Sequence, residues 1–143
     1  MNINELIVKR ESCRNFSDKK VEMDQLKAIV NVARMAPSAD NRQPWIFYVT
    51  NSSDVVKKLT EACAPLNYNQ FLKNVTAYII MTKPVSKEPW VPEVEYYDHF
   101  YSDFDCGIAA THICFAAAEI GLSTCMIGLF DEKTHQRDLR LWR

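Results

Sequence analysis

At 143 residues, 48% apolar and 24% charged, the chain is long enough to bury one real core and has the ordinary balance of a soluble globular domain. A formal net charge of −1 argues against a nucleic-acid binder, which normally shows a basic face and a high pI, and no apolar run approaches the ~20 residues of a membrane-spanning helix. Met1-Asn2-Ile3-Asn4-Glu5 lacks the basic and apolar regions of a signal peptide, so a cytoplasmic protein without membrane contact is expected.

Taken in chain order, residues 3–10 place Ile3, Leu6 and Ile7 at helical spacing and then reach Arg10 and Arg14, which flank Ser12 before Phe16. A guanidinium is permanently charged and offers a planar fork of donors that suits phosphate oxygens. Two solvated surface arginines satisfy the same pattern. Asp24 is the expected N-cap of the next helix, which carries Leu26, Ile29, Val30 and Ala33 on one face. Pro37 should end that helix at Ala36, because proline lacks the N–H a helix needs and pushes the preceding residue toward extended geometry. Small and amide-bearing residues follow (Ser38, Ala39, Asn41, Gln43), and then Trp45–Thr50 reads as a buried strand. Such a helix, loop and strand could gather donors and acceptors for a polar, planar ligand, or could be an ordinary capped connection.

Ser52-Ser53-Asp54 starts a helix carrying Val55, Val56 and Leu59, which Pro65 stops after Ala64. Residues 67–72 read as a short irregular or helical piece. Val75–Thr82 is the clearest strand, β-branched and almost wholly apolar, hence expected at the centre of a sheet. Residues 83–101 change character: Pro84, Pro89 and Pro92 interrupt a stretch crowded with Trp90, Tyr96, Tyr97, Phe100 and Tyr101. That loop suits a lid or binding wall, and equally a segment packed on the core or on a partner subunit.

From Asp103 to Ile120 runs a helix apolar almost all round, which belongs in an interior or at a subunit interface, with His112 as a satisfied core or interface residue. Gly121 should end it in a left-handed conformation. Ser123–Leu129 reads as a third strand, and Asp131 as the cap of a last helix through Leu139. Helices and strands mix without βαβ alternation, and no Gly-x-Gly-x-x-Gly follows a strand, which points to an α+β layered fold rather than a Rossmann domain.

Five cysteines (Cys13, Cys63, Cys106, Cys114, Cys125) are an odd number without a Cys-x-x-Cys pair, so small apolar residues rather than a disulfide framework are expected. His99, His112 and His135 show no metal-ligand spacing, and no metal site is expected.

Three blocks, in order, resemble the FMN-dependent nitroreductase family. Arg10-Glu11-Ser12-Cys13-Arg14-Asn15-Phe16 is similar to that family's Arg-x-Ser-x-Arg-x-Phe. Residues 33–45 are similar to its Ala-Arg-x-Ala-Pro-Ser-x-x-Asn-x-Gln-Pro-Trp, and residues 121–128 to its Gly-Leu-Gly-Thr-Cys-x-Ile-Gly. The resemblance spans roughly residues 5–132. It implies a layered antiparallel or mixed sheet flanked by helices, assembled as a homodimer with FMN at the interface. Arg10, Ser12 and Arg14 would hold the phosphate and ribityl chain, and Pro37, Ser38 and Ala39 would contact the cofactor across the interface. Asn41 and Gln43 would reach the flavin through amide groups, and Ile127 and Gly128 complete the implied cofactor set.

The implied activity passes reducing equivalents from NAD(P)H through the flavin to a nitroaromatic, quinone or similar small acceptor. The flavin carries the chemistry, so no catalytic side chain is nominated. A flavin-binding protein of the same fold without turnover stays open. So does a specialised reaction such as reductive dehalogenation, which the variable loop 83–101 near the flavin would decide. Family chains typically continue past the last helix into another strand and a basic residue at the FMN phosphate. Here Arg137–Arg143 stands in that place, so residues 1–143 are expected to form one FMN-binding domain lacking the usual C-terminal strand and tail.

Overall fold

Helix α4, Ser102–Glu119, packs against the two helices at the start of the chain, and its Ala109 meets Trp45 in the core. The structure, a computed structural model, describes residues 2–83 and 101–131. Asp103 and Asp105 occupy the first turn of α4, where the helix dipole favours negative charge. At the other end Gly121 adopts φ +82°, its N–H donates to the Ala118 carbonyl (3.2 Å) and Leu122 N–H donates to Ala117 (2.9 Å). This paired closure is the Schellman arrangement expected of a glycine-terminated helix.

Before it come α1 (Ile3–Lys9), α2 (Met23–Ala33), β1 (Ile46–Thr50), α3 (Ser53–Cys63) and β2 (Tyr78–Thr82). Two short 3-10 turns, Pro65–Asn67 and Gln70–Asn74, fill the stretch expected to be irregular or helical. β1 and β2 pair antiparallel, from Ile46 opposite Thr82 to Thr50 opposite Tyr78. The core lies between α2, α4 and this sheet. In one cluster Ile29 packs on Ala116 and Ala117, with Ile79, Ile113 and Leu122 around them. In the other, Ala36, Trp45 and Ala109 meet Phe47, Met81 and Cys106. Alanines on α4 let its neighbours approach closely, so large side chains from α2 and the sheet fill the space. Leu26 and Ile29 are each almost fully buried, and contribute about 2 kcal/mol apiece.

The α+β class stands, while several boundaries move. α2 begins at Met23 with Glu22 as N-cap, whose N–H donates to the Gln25 side chain at 3.0 Å. Asp24 therefore sits inside the first turn, where it makes an exposed ion pair with Lys27. Helical geometry stops at Ala33 rather than Ala36, because the chain tightens into i+3 bonds (Met35 to Val32, Ala36 to Ala33) before Pro37. β2 starts at Tyr78, and it is half-buried along its length in a two-stranded sheet among the described residues, not central.

The expected third strand at 123–129 reduces to one parallel bridge, Ser12 to Thr124. Beyond it the backbone bonds elsewhere. Leu129 O accepts from Asn69 Nδ2 (3.2 Å), and Asp131 N–H donates to Ala62 O (2.8 Å). The aromatic stretch 84–100 and the last helix with the closing segment, 132–143, lie outside the described residues.

Tyr78 shares a 2.9 Å hydrogen bond with Thr60, and burial pushes its hydroxyl from 10 up to about 12. The fold thus prefers the neutral phenol. The stability this represents is whole below pH 10 and is lost as pH rises through about 12. Tyr78→Phe has no proton to lose. Urea melts of both proteins at pH 8 and pH 11 should show the parent losing ground to the variant at the higher pH. A difference independent of pH would contradict this.

Candidate functional site

The residues expected at the site fall into two groups, one at each end of α4. At its N-terminal end lies the loop 37–43. Asp105 is 4% exposed, and both its carboxylate oxygens stand 3.2 Å from the Ala39 N–H. The loop's far end is also pinned to α4, where Cys106 Sγ contacts the Pro44 carbonyl at 3.9 Å. Between these anchors Asp40, Asn41 and Gln43 take left-handed backbone angles (φ 51°, 53° and 51°). Asp and Asn tolerate that region; glutamine is uncommon there, and its strain is of order 1 kcal/mol.

Ser38 Oγ holds Gln43 in place by accepting from its backbone N–H at 2.9 Å, and Gln43 Nε2 donates to Asn41 Oδ1 at 3.3 Å. Pro37, Asn41 and Gln43 are exposed, while Ser38 and Ala39 are half-buried. The loop is a braced surface knuckle that turns amide groups outward. Such retained strain is typical of ligand-contacting segments.

Asp105 was not singled out from the sequence. The signal was there in an acid placed in the first turn of an otherwise apolar helix. Asp105→Ala should lower stability by about 1–3 kcal/mol, since the Ala39 N–H loses its acceptor. Asp105→Asn keeps one acceptor oxygen and should lose clearly less. Equal losses in denaturant melts would mean that the charge at the helix end matters, and not the bond to Ala39.

At the other end of α4, the segment after α1 lies beside the residues that follow Gly121. Cys13 N–H donates to Thr124 O at 2.9 Å, which seats Ser12 against Thr124. Arg10 is half-buried at the end of α1, and no described residue pairs with its guanidinium. Arg14 Nη1 reaches Ser12 O at 3.4 Å, and its guanidinium stands 5.9 Å from the centre of the Phe71 ring. Phe71 in turn stacks on Phe16, with ring centres 6.5 Å apart. A cleft of about 50 Å³ opens between Lys9–Glu11 and Gly121–Thr124.

Asp105 and Ala118 are separated by thirteen residues of one straight helix, about 20 Å. One chain therefore keeps its arginine group and its amide loop well apart. Ile127 is half-buried and Gly128 exposed, in the irregular stretch past the Thr124 bridge, and no hydrogen bond among the described residues ties either to the two groups. His112, expected as a satisfied histidine, is half-buried with Nδ1 2.9 Å from Ile108 O. Among the described residues no cluster of ligating side chains could hold a metal ion, and no helix is long and apolar enough to cross a membrane.

The Nitroreductase family profile matches residues 7–68 and 64–141. A relative from Archaeoglobus fulgidus, provisionally named NADH dehydrogenase/NAD(P)H nitroreductase, is 30% identical over 137 residues, covering 94% of this chain and 72% of its own. The crystal structure of a nitroreductase family protein from Clostridium novyi NT superposes with a TM-score of 0.79 at 26% identity, over 99% of this chain and 77% of that one. An FMN-dependent nitroreductase from Clostridium difficile R20291 gives 0.73 at 26% identity, over 97% and 79%.

Proposed function

Since the chain belongs to the nitroreductase family, we propose that it is an FMN-dependent oxidoreductase drawing on NAD(P)H to reduce a small acceptor such as a nitroaromatic or quinone. The observation that carries the binding site is the arrangement at the end of α4. There Arg10, with whose guanidinium no described residue pairs, and a ring-backed Arg14 flank Ser12 beside a small cleft. Permanent cations and a hydroxyl suit a phosphate ester. An outward-turned loop of amides, held from behind by Asp105, suits a planar ring edged with carbonyls and ring nitrogens. The donor set therefore fits FMN.

The ~20 Å between the two groups favours a site built from two copies of the chain, one supplying Arg10, Ser12 and Arg14 and the other Pro37, Ser38, Ala39, Asn41 and Gln43. Ile127 and Gly128 would join the first set. Exposed apolar side chains support this assembly: Phe104 and Ile108 on α4, and Ile3, Ile7 and Val8 on α1. The 143 residues would act as one FMN-binding domain. When bound, FMN supplies the electron-accepting ring. The protein's part is to fix the phosphate, hold the ring through a rigid loop and exclude water between subunits.

Titration with FMN, followed by equilibrium dialysis at micromolar concentration and then by addition of NAD(P)H under anaerobic conditions, tests the reading. Binding followed by loss of the yellow colour is expected. Absence of binding discards the cofactor assignment. Bound flavin that NAD(P)H does not bleach would leave a flavin-binding protein without turnover.

A further inference from the structure

Two cysteines that the proposed reaction does not use directly follow the bridged pair that joins the segment after α1 to the segment after α4. In a parallel bridge the residues following the bridged pair are again neighbours, and their side chains leave by the face opposite to that of the bridged pair. Ser12 and Thr124 are the bridged pair here, so the residues that follow them are Cys13 and Cys125. The 2.9 Å bond from Cys13 N–H to Thr124 O holds that register at the cysteine itself. Adjacent strands run about 4.8 Å apart, within the roughly 4.4–6.8 Å between Cα atoms that a disulfide spans. Both thiols are free and half-buried, so neither is sealed in the core.

The titration of Cys125 shows the same neighbourhood. Burial raises it most, the Arg14 guanidinium opposes that, and Cys13 and Cys114 raise it further. Cys114 is a poorer partner because it is buried within α4. Cys63 is buried at the end of α3, and Cys106 lies at the opposite end of α4, against Pro44.

We propose that Cys13 and Cys125 form a dithiol modification site that closes to an intrachain disulfide by exchange with small-molecule disulfides. One protein thiolate attacks a sulfur of the small disulfide, which leaves a mixed disulfide and releases one small thiol. The second protein thiolate attacks the protein-side sulfur, forms the Cys13–Cys125 bond and releases the other small thiol. Two protein thiols are oxidised, one small disulfide is reduced to two thiols, and the protein's two protons end on them. The bond would join the arginine segment after α1 covalently to the segment after α4, at the place where one main-chain bridge now holds them.

The full chain, equilibrated with excess oxidised glutathione, alkylated and mapped by proteolysis and mass spectrometry, tests this. Two thiols per chain should resist alkylation, Cys13 should be linked to Cys125, and the chain should run as a monomer on a non-reducing denaturing gel. Cys13→Ser and Cys125→Ser should each abolish the link and leave the remaining thiol carrying glutathione. A bond between Cys114 and Cys125, a bond between chains, or five thiols that all remain alkylatable would overturn the assignment. Because the parent chain alone decides among these outcomes, the test survives a variant that fails to fold.

Discussion

Replacing Arg10 by alanine should weaken FMN binding about tenfold to a hundredfold. A hydrogen bond to a charged group is worth about 1.5–3 kcal/mol, and each 1.4 kcal/mol is a factor of ten in affinity. Arg10 is the sharper probe of the two arginines, because no described residue pairs with its guanidinium and its removal breaks no ion pair among them. Arg14→Ala should cost a similar factor and also some stability, since the side chain lies over Phe71 and reaches Ser12 O. A cation over a ring near the surface contributes about 0.5–1 kcal/mol. The pair therefore separates a ligand anchor from a structural one: Arg10→Ala should leave the apo-protein's melting unchanged, while Arg14→Ala should lower it. Riboflavin, without the phosphate, should bind the parent much more weakly than FMN and should be insensitive to Arg10→Ala. Equal affinity of the parent for both flavins would show that the arginines serve something else.

Ile108→Glu should convert the protein to monomers. Ile108 and Phe104 stand one turn apart on α4, 37% and 63% exposed, on a helix whose opposite side is core. A second copy covering that stripe would bury it, and obligate interfaces are large and apolar enough that the fold depends on them. A carboxylate buried there without a partner costs about 3–5 kcal/mol, roughly a hundredfold to a few-thousandfold in dimer dissociation. Sedimentation equilibrium of the parent should give a dimer across the accessible range, and of the variant a monomer or an unfolded chain. FMN binding should fall in step, because the arginine group and the amide loop would no longer meet. A parent that sediments as a folded, flavin-loaded monomer would contradict both the interface and the composite site.

Where a rule is local, the residues alone were enough. Gly121 ends α4 because it accepts φ +82° without a Cβ to object, and the two bonds back to Ala117 and Ala118 follow from that angle. Pro65 stops α3 at Cys63–Ala64 because it brings no N–H to continue the ladder. The run in α4 is rich in alanine, a strong helix former, so its helix is legible from residue type and length, and the three motif blocks name the family because their residue types and order suffice.

Partners distant in the chain decided the rest. Ser123–Leu129 has the composition of a strand, but a strand exists only where another backbone runs alongside. Here the neighbour is the Arg10–Arg14 segment, which pairs for a single bridge, and further on Leu129 O accepts from Asn69 and Asp131 N–H donates to Ala62. Asp24 looks like a cap until Glu22 and Gln25 close the helix two residues earlier. Asp105 becomes the brace of the amide loop only because folding brings Ala39 to it across sixty-six positions. The separation of the arginine group from the amide loop is likewise a property of α4 as a rigid rod, about 20 Å from Asp105 to Ala118. A motif records which groups a ligand needs. The distance between those groups, and hence whether one chain or two must supply them, is set by what packs between.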